Sequence, residues 1–511
     1  MWWAPVPLER DSLLLTFGDS TGPGVLRVLT PHGGTDPRWS PDGSRVSFVL
    51  GRTWFDVRVG ETTAADTAAH RDVVVLVPHD RPEGTLLLSG ARVITMSPRG
   101  VLARGDVLIS GDRITAVGPV ATLNVPRHTT RLDITGATVL PGYIATHEHL
   151  LGDALGVPAP PRRWDFLLAL AYGVTTVLDP QTVSTPAQLS DADRVAAGDL
   201  VGPRYLGTGH AVMDQQLDTW DETRDLVREY SRGYHSGFLK ERGVGQRLLR
   251  QWVAQAAAEE RLTSVGHWNH DLVSMILDGY SGIEHTTFMP WHDDVVQLIA
   301  RSGTIYTPTN LLVSVGPTPV GYFSQRTDMY RERRLWRFAP KDFLDVAVLS
   351  PQIGPRPLAF ATDYAFPVEA ASAVKLAQAG GQVGIATDGA LPGLGEHWEI
   401  WLQVIGGMVP LQALRSATLT GAVAVGLERD LGSIEPGKLA DLQVLDRNPL
   451  VDIHNTNTLR YVMKDGRLYK AATLDEIWPE RRPLVRGLDD QPWWWADAPP
   501  GTLDTGPRRR Q

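Results

Sequence analysis

Short apolar runs separated by turn-forming residues characterise the first 83 residues of the chain. Leu13–Leu15 and Val46–Val49 are typical of short strands, and the residues around them are rich in Gly, Pro, Asp and Ser. The segment Pro41–Gly43 predicts a tight turn, because proline presets the φ angle that a turn requires and glycine accepts a positive φ. Residues 1–83 are therefore predicted to form a β-rich unit.

The strand-like pattern continues in residues 84–140 and returns in residues 430–473. Leu86–Leu88 is one apolar run of the earlier segment, and a turn rich in Gly and Pro precedes an apolar strand near Leu442 in the later one. We expect the two segments to pair into a small β-sandwich that flanks the middle of the chain. Residues 474–511 are predicted to be a C-terminal tail, because the Trp-rich and Arg-rich last part has no core pattern.

Between residues 141 and 429, short apolar strands alternate with longer segments of helical periodicity. Eight candidate strands are predicted near residues 143–147, 173–178, 203–207, 236–240, 262–267, 281–285, 303–307 and 383–388. Eight such units over about 250 residues predict an α/β fold, a (β/α)8 TIM-like barrel. The long interval before the last strand contains an insertion, in which Tyr330–Asp345 is predicted to be a charged helix covering the barrel mouth.

Composition narrows the class of function. The 511 residues are 42% hydrophobic and 21% charged with a net charge of −9, which is typical of a globular protein and argues against a nucleic-acid partner. The absence of cysteine excludes a disulfide framework, a thiolate nucleophile and a Cys-ligated zinc site. No apolar run reaches about 18 residues, and the N-terminus lacks a signal-peptide pattern. We therefore expect a cytoplasmic protein with no membrane partner.

The sequence His147-Glu148-His149 at the end of the first barrel strand is the sharpest chemical feature. Alternate positions of a strand point to the same side, so both imidazoles can face one metal ion. The active site of such a barrel lies at the carboxyl ends of its strands, and other strand ends carry metal-compatible groups, namely Lys240, His267, His285 and Asp388. A lone strand-end His is more often structural, but this coincidence predicts a metal centre. His270 is an alternative ligand to His267.

Several segments resemble the signatures of the amidohydrolase superfamily, namely Val139–His149, Ile283–His285, Thr387–Gly389 and Glu435–Leu442. The resemblance covers roughly residues 84–480. More narrowly, the chain looks like the branch that joins TolB-like propeller repeats to an amidohydrolase related to imidazolonepropionases and Xaa-Pro dipeptidases. Asp36–Ser44 is similar to the blade motif of TolB-type propellers but occurs once, so residues 1–83 are predicted to be a propeller remnant. A plain β-hairpin extension is the alternative.

The resemblance implies a centre with two metal ions. His147, His149 and Asp388 would bind one metal ion, and His267 and His285 the other. Lys240 would bridge the two ions after carbamylation by carbon dioxide, because an unmodified lysine is a cation and cannot ligate a metal. A lysine held in a salt bridge is the alternative. Two zinc ions are expected, with manganese, cobalt or nickel as alternatives.

The implied activity is metal-dependent hydrolysis of a C–N bond in an amide, peptide-like or cyclic amide substrate. Asp388 would act as general base toward the metal-activated water and then as general acid toward the leaving nitrogen. Candidate substrate-binding residues are His210, Arg242, Tyr306 and His397. Surface exposure of His210 and barrel packing of Tyr306 are the alternatives. The segment after Lys240, Glu241-Arg242, departs from the usual sequence of the branch.

Three other functions compete with this interpretation. A mononuclear deaminase would use His147, His149, His267 and Asp388 but would not need Lys240. A non-catalytic barrel scaffold usually loses ligands, whereas this set is complete, and a binding module built on the propeller fragment has only one blade motif. The expected partner is a small-molecule or short peptide-like substrate. The chain could also form a homodimer or higher homo-oligomer, although it carries no interface signature.

Overall fold

The computed structural model describes residues 2–3, 27–28, 34–59, 69–150, 162–182, 184–213, 217–267, 271–287, 290–345 and 360–484. The predicted strand at Leu13–Leu15, the alternative ligand His270 and the end of the tail, 485–511, lie outside these residues. Among the helices that the structure describes, none combines the length and the apolar character needed to cross a bilayer.

The N-terminal part forms two small antiparallel sheets. The strands are β1 (Trp2–Trp3), β2 (Arg27–Val28), β3 (Thr35–Trp39), β4 (Arg45–Leu50), β5 (Thr53–Arg58) and β6 (Ala69–Asp72). β1 pairs with β2, and β3 to β6 form a four-stranded sheet in chain order. The predicted turn at Pro41–Gly43 is confirmed between β3 and β4, where Gly43 has a φ of +68°. A single propeller blade also consists of four antiparallel strands.

The remaining elements follow in chain order. The next strands are β7 (Thr85–Ile94), β8 (Val101–Ser110), β9 (Arg113–Pro119), β10 (Thr130–Asp133) and β11 (Thr138–Pro141). The barrel strands are β12 (Tyr143–Ala145), β13 (Val174–Asp179), β14 (Arg204–Gly207), β15 (Phe238–Glu241), β16 (Thr263–His267), β17 (Gly282–Glu284), β18 (Ile305–Thr307) and β19 (Gln382–Val383). The last strands are β20 (Leu442–Leu445), β21 (Leu459–Lys464), β22 (Arg467–Lys470) and β23 (Glu476–Trp478).

The helices lie mostly between the barrel strands. They are α1 (Trp164–Ala171), α2 (Thr185–Ala197), α3 (Trp220–Arg228), α4 (Arg247–Glu259), α5 (Leu272–Asp278), α6 (Asp293–Ser302), α7 (Pro319–Ser324), α8 (Arg333–Phe338), α9 (Lys341–Leu344), α10 (Phe366–Gln378), α11 (Leu394–Ile405), α12 (Pro410–Arg415) and α13 (Gly421–Ala424). Their limits follow local chemistry. The Ser184 hydroxyl accepts a hydrogen bond from the Ala187 amide to begin α2, and Gly198, with a φ of +81°, ends it.

The segments before and after the barrel build one nine-stranded sheet, in the order β23-β22-β21-β20-β11-β7-β8-β9, with β10 paired to β7. Both segments contribute to one buried core, which includes Val107 and Ile109 from β8 and Met463 from β21. The sheet extends beyond the predicted boundary at residue 473, because β23 pairs with β22 and Trp478 packs into this core.

Eight parallel strands of the described chain form the barrel region. β12 to β14 pair in chain order, and β15 to β19 do the same. Backbone hydrogen bonds connect the two sets at both ends: the Val212 amide donates to the Lys240 carbonyl at 2.7 Å, and the Thr146 amide donates to the Ile385 carbonyl at 3.1 Å. The strand order is that of a TIM-like barrel, and the α/β fold is confirmed. Gly142 separates β11 from β12, where a Cβ atom would collide with Thr175.

The insertion before β19 differs from the prediction of one helix over Tyr330–Asp345. Two short helices, α8 and α9, occupy this segment, because Pro340 forces the preceding Ala339 into an extended conformation, with a ψ of 141°. The segment also does not cover the barrel mouth, contrary to the prediction. Arg334 of α8 donates a hydrogen bond to the Ala171 carbonyl at 3.2 Å. Ala171 is the last residue of α1 and lies just before β13, so α8 is near the amino ends of the strands, opposite the mouth.

Candidate metal centre

The carboxyl ends of the barrel strands bring the predicted ligands together. His147 and His149 follow β12, Lys240 lies in β15, His267 ends β16, His285 follows β17, and Asp388 follows β19. The imidazole of His147 lies 5.0 Å from that of His149 and 4.7 Å from that of His285, centroid to centroid. The rings of His267 and His285 lie 4.4 Å apart. The four imidazoles therefore form one continuous cluster.

Asp388 is the point on which the first two histidines converge. Its Oδ1 lies 3.0 Å from Nε2 of His147 and 3.2 Å from Nε2 of His149. A φ of +58° at Asp388 turns its side chain toward them. Burial acts to raise the pKa of Asp388, but hydrogen bonds from both imidazoles outweigh it and hold this pKa well below its usual range. The three groups can together hold a metal ion.

The Nδ1 atoms of three histidines lie next to residues that the sequence analysis missed. Nδ1 of His147 lies 2.7 Å from Oε1 of Glu284, and Nδ1 of His149 lies 3.4 Å from Oδ1 of Asp179. Nδ1 of His285 lies 2.7 Å from the hydroxyl of Thr309. The residues missed are Glu284, Asp179 and Thr309. With these neighbours at Nδ1, Nε2 is the atom left to ligate a metal ion, and a polar neighbour at the other ring nitrogen is usual around metal-bound histidine.

The charge states of the histidines differ according to their neighbours. Burial lowers the pKa of His267 to about 4 and that of His285 well below its usual value, so both are neutral and able to ligate a metal. Burial also acts to lower the pKa of His149, but contacts with Asp179 and Asp388 raise it to about 9. A metal ion would have to displace the proton from His149.

Lys240 is buried at the base of this cluster. Its Nζ forms an ion pair with Oε2 of Glu284, and burial lowers the pKa of Lys240 to about 7. The salt-bridged alternative is thus present in the described structure, and carbamylation remains a prediction. The residue types fit divalent metal ions: imidazoles and a carboxylate are zinc ligands, and the two candidate clusters, His147-His149-Asp388 and His147-Glu284-His285, share His147.

The four predicted substrate-binding residues lie in different environments. Arg242 is exposed after β15, and its guanidinium donates to the amide oxygen of Gln181 at 2.9 Å. His210 is exposed and its carbonyl accepts a hydrogen bond from the hydroxyl of Tyr230. Arg242 is close enough to His267 to lower the pKa of that imidazole. Of these residues, Arg242 is the one whose described contacts connect it to the metal centre.

Tyr306 and His397 are not brought to the centre. Tyr306 packs against Trp291, with ring centroids 4.6 Å apart, in the apolar layer between strands and helices. The structure therefore favours the packing alternative for this residue. His397 is fully buried in α11, where Nε2 lies 2.9 Å from the carbonyl oxygen of Tyr172 and the ring contacts that of Tyr143. Both side chains therefore lie in the helix layer, away from the cluster of imidazoles, and neither makes a described contact with it.

A TIM-like barrel with a cluster of histidines and an aspartate at the carboxyl ends of its strands, able to hold a metal ion, has the architecture of a metal-dependent hydrolase. The profile of the Amidohydrolase family matches residues 138–469. The chain therefore belongs to this family, and it is an enzyme of the class that hydrolyses C–N bonds with the help of a metal ion.

Individual relatives carry several specific activities. The chain is 27% identical to a 5-methylthioadenosine/S-adenosylhomocysteine deaminase from Pelotomaculum thermopropionicum, over 71% of this chain and 84% of the relative. It is 25% identical to an ochratoxinase from Aspergillus niger, over 59% of this chain and 63% of the relative. A molinate hydrolase structure superposes with a TM-score of 0.60 at 20% identity, over 77% of this chain and 96% of that one. This last likeness shows the fold alone.

Proposed function

We propose that this protein hydrolyses an amide bond in a small, carboxylate-bearing or peptide-like substrate, with a cyclic amide as a related substrate. The observation that carries the proposal is the convergence of His147 and His149 on Oδ1 of Asp388, with Lys240 buried beside them. This is the arrangement that metal-assisted hydrolysis of a carbonyl compound requires.

Two divalent ions, zinc or else manganese, cobalt or nickel, would be held by the residues at the strand ends. One would lie among His147, His149 and Asp388, and the other between His267 and His285. Lys240 would bridge the two ions after addition of carbon dioxide to its amine. When bound, such ions lower the pKa of a water molecule from about 15.7 to about 7 and polarise a carbonyl group.

Asp388 moves the proton in this scheme. Its Oδ1 is engaged by the imidazoles of His147 and His149, so we assign the proton to Oδ2. The low pKa keeps the carboxylate ionised before the reaction, as a proton acceptor must be, and the hydroxide that forms supplies the nucleophile. The same Oδ2 then donates that proton to the leaving nitrogen, which departs as an amine.

Arg242 supports the choice of a substrate with a carboxylate. Its guanidinium is exposed after β15 and is held by Gln181, which follows β13. A planar guanidinium can bind a carboxylate through two parallel hydrogen bonds, which fixes orientation as well as charge. A substrate carboxylate bound there would place its amide over the cluster of imidazoles.

Deamination is the second candidate, because three of the relatives are named as deaminases. Two are 5-methylthioadenosine/S-adenosylhomocysteine deaminases, and the third is adenine deaminase 1 from Rhizobium etli, 27% identical over 68% of this chain and 53% of the relative. A mononuclear deaminase does not need Lys240. The effect of a substitution at Lys240 on metal content therefore distinguishes the two functions.

The test measures metal content by mass spectrometry in the wild type and in Lys240→Ala, both purified without a chelator. About two metal ions per chain that fall to one or fewer on substitution would support the proposed hydrolase. The wild type would then be screened for release of amine from N-acyl amino acids and dipeptides, and for release of ammonia from adenine compounds. One ion in both proteins, together with ammonia release, would favour the deaminase.

A further inference from the structure

A turn directly after β18 supports the predicted ligand His285. The hydroxyl of Thr309 lies 2.7 Å from Nδ1 of His285, and the Thr307 carbonyl accepts a hydrogen bond from the His285 amide at 2.8 Å. The turn therefore contacts both the ring and the backbone of this residue. Thr309 itself has a φ of +45°, which is an uncommon conformation for a β-branched residue. Such a conformation persists only where the surrounding structure holds it in place.

The carboxyl group of Glu399 holds this turn from the neighbouring helix. Glu399 lies in α11 and is completely buried. Its Oε1 accepts a hydrogen bond from the Asn310 amide at 3.1 Å, and its Oε2 accepts one from the Leu311 amide at 2.8 Å. The side-chain amide of Gln403, one turn further along α11, also donates to Oε1, at 3.3 Å. Because a buried polar group is costly without partners, the carboxyl group and the two backbone amides hold each other in place.

A second helix holds the same loop with the same chemistry. Glu369 in α10 accepts hydrogen bonds from the Ser314 hydroxyl at 2.6 Å and from the Val315 amide at 2.9 Å. These contacts lie further along the loop, whereas Glu399 binds the two residues that directly follow Thr309. The two carboxyl groups therefore anchor the loop at separate points, and of these two points the one at Glu399 adjoins the side chain that contacts His285.

We propose that Glu399 is a positioning residue for His285: through the two backbone amides that it binds, it fixes the turn that holds the imidazole with Nε2 free to bind a metal ion. The rings of His147 and His267 lie 4.7 Å and 4.4 Å from that of His285, so a small rotation of this ring changes the geometry of the whole cluster. The inference rests on the proposed function, because it takes His285 as a ligand. It goes beyond that function by assigning the orientation of the ligand to a side chain of the helix layer.

The first test titrates zinc into the metal-free full-length chain in buffer that contains bicarbonate, and it does not depend on activity. His285→Ala identifies the binding step to which His285 contributes. In Glu399→Gln we expect this step to weaken by roughly tenfold, because the introduced NH2 group cannot accept the hydrogen bond that one of the two amides donates. The other step should keep its wild-type affinity. Glu369→Gln is the matched control, since it makes the same substitution on the same loop, and it should bind zinc as the wild type does.

Thermal unfolding of the same metal-free samples separates positioning from stability. Glu399→Gln and Glu369→Gln each remove an acceptor of a hydrogen bond to the loop, so both variants should lower Tm. Only Glu399→Gln should also weaken zinc binding. A lower Tm in both variants with wild-type zinc binding in both would show that Glu399 contributes to stability alone, and it would overturn the inference.

Substitutions of Thr309 test the contact through which Glu399 acts. Thr309→Val keeps the branched shape and removes the hydroxyl, so it should weaken the same binding step by roughly tenfold. Thr309→Ser keeps the hydroxyl and should bind zinc as the wild type does. In the double variant Glu399→Gln/Thr309→Val, the loss of affinity should be smaller than the product of the two single losses, because both changes act on one contact.

The outcomes separate this inference from the proposed function. A wild type that binds no zinc would overturn both. If the wild type binds zinc, three results would overturn the inference alone: equally tight binding by Glu399→Gln, an unchanged titration in His285→Ala, or equal weakening in Glu399→Gln and Glu369→Gln. If Glu399→Gln does not fold, Glu399→Asp keeps both oxygen atoms on a shorter side chain. That variant should weaken the same step, and unchanged zinc binding would overturn the inference.

Discussion

Glu148 and Glu396 lie side by side in the buried layer behind the candidate metal centre, close enough that each affects the pKa of the other. Oε2 of Glu148 accepts a hydrogen bond from the hydroxyl of Thr387, and Oε2 of Glu396 accepts one from the Gly393 amide at 2.7 Å. Each Oε1 lacks a donor among the described residues. Burial and the proximity of the two groups raise the pKa of Glu148, and burial raises that of Glu396. We therefore expect the two carboxyl groups to share one proton.

Glu396→Gln is therefore expected to make stability less dependent on pH. Because the pKa is raised, the folded wild type keeps a proton that the unfolded chain releases above about pH 4.5. The stability of the wild type therefore falls as the pH rises from there through the folded pKa, by at most roughly 1.4 kcal/mol per pH unit. The introduced glutamine amide supplies the hydrogen bond without a titrating proton. Calorimetry at pH 5 and pH 8 measures the change in Tm. Glu148→Gln should flatten the dependence equally, and identical slopes in all three proteins would refute the shared proton.

Asp388→Asn should reduce kcat strongly without unfolding the protein. The amide cannot accept the proton that Oδ2 is assigned to carry, and loss of a general base or acid costs about 10²- to 10⁴-fold. The amide oxygen can still accept hydrogen bonds at the position of Oδ1, so the imidazoles of His147 and His149 keep a partner. Steady-state kinetics with an amide substrate and metal analysis of the same sample provide the measurement. A variant with normal metal content and wild-type kcat would remove Asp388 from the proton transfer.

Arg242→Met should raise KM for a substrate that carries a carboxylate while leaving kcat nearly unchanged. Loss of a hydrogen bond between charged groups costs about 1.5–3 kcal/mol, equivalent to roughly 10- to 150-fold in KM. The matched control is the same substrate with its carboxylate converted to a carboxamide, for which the two enzymes should have similar KM values. If KM rose equally for both substrates, Arg242 would be supporting the loop around Gln181 rather than binding a carboxylate.

The main ligand candidates could be predicted from sequence because two simple rules apply to them. Apolar runs identify the barrel strands, and the barrel presents polar residues at the carboxyl end of each strand. His147 and His149 also obey the two-residue period of a strand. The structure brings both of them onto Asp388, which lies more than 200 positions away along the chain.

Glu284 could not be predicted in this way, because the same alternation places it on the opposite face from His285. Only the left-handed backbone at His285 brings both side chains inward, and this conformation is too uncommon in non-glycine residues to be predicted from the residue type. Tyr306 shows the converse limitation. Its neighbour Thr307 contacts Thr146 inside the barrel at 3.0 Å, so Tyr306 faces the helices. Sequence alone does not establish which of two adjacent residues faces inward.

His397→Gln should reduce the loss of stability at acidic pH. Burial lowers the pKa of His397 to about 3, so the folded state excludes a proton that the unfolded chain binds below about pH 6.5. Wild-type stability is therefore complete above pH 6.5 and decreases as the pH falls toward 3, by at most roughly 1.4 kcal/mol per pH unit. Glutamine can still donate to the Tyr172 carbonyl but does not titrate. Thermal unfolding at pH 7 and pH 5 measures the difference, with His210→Gln as an exposed control. A larger acid-induced loss in His397→Gln than in the wild type would contradict this role.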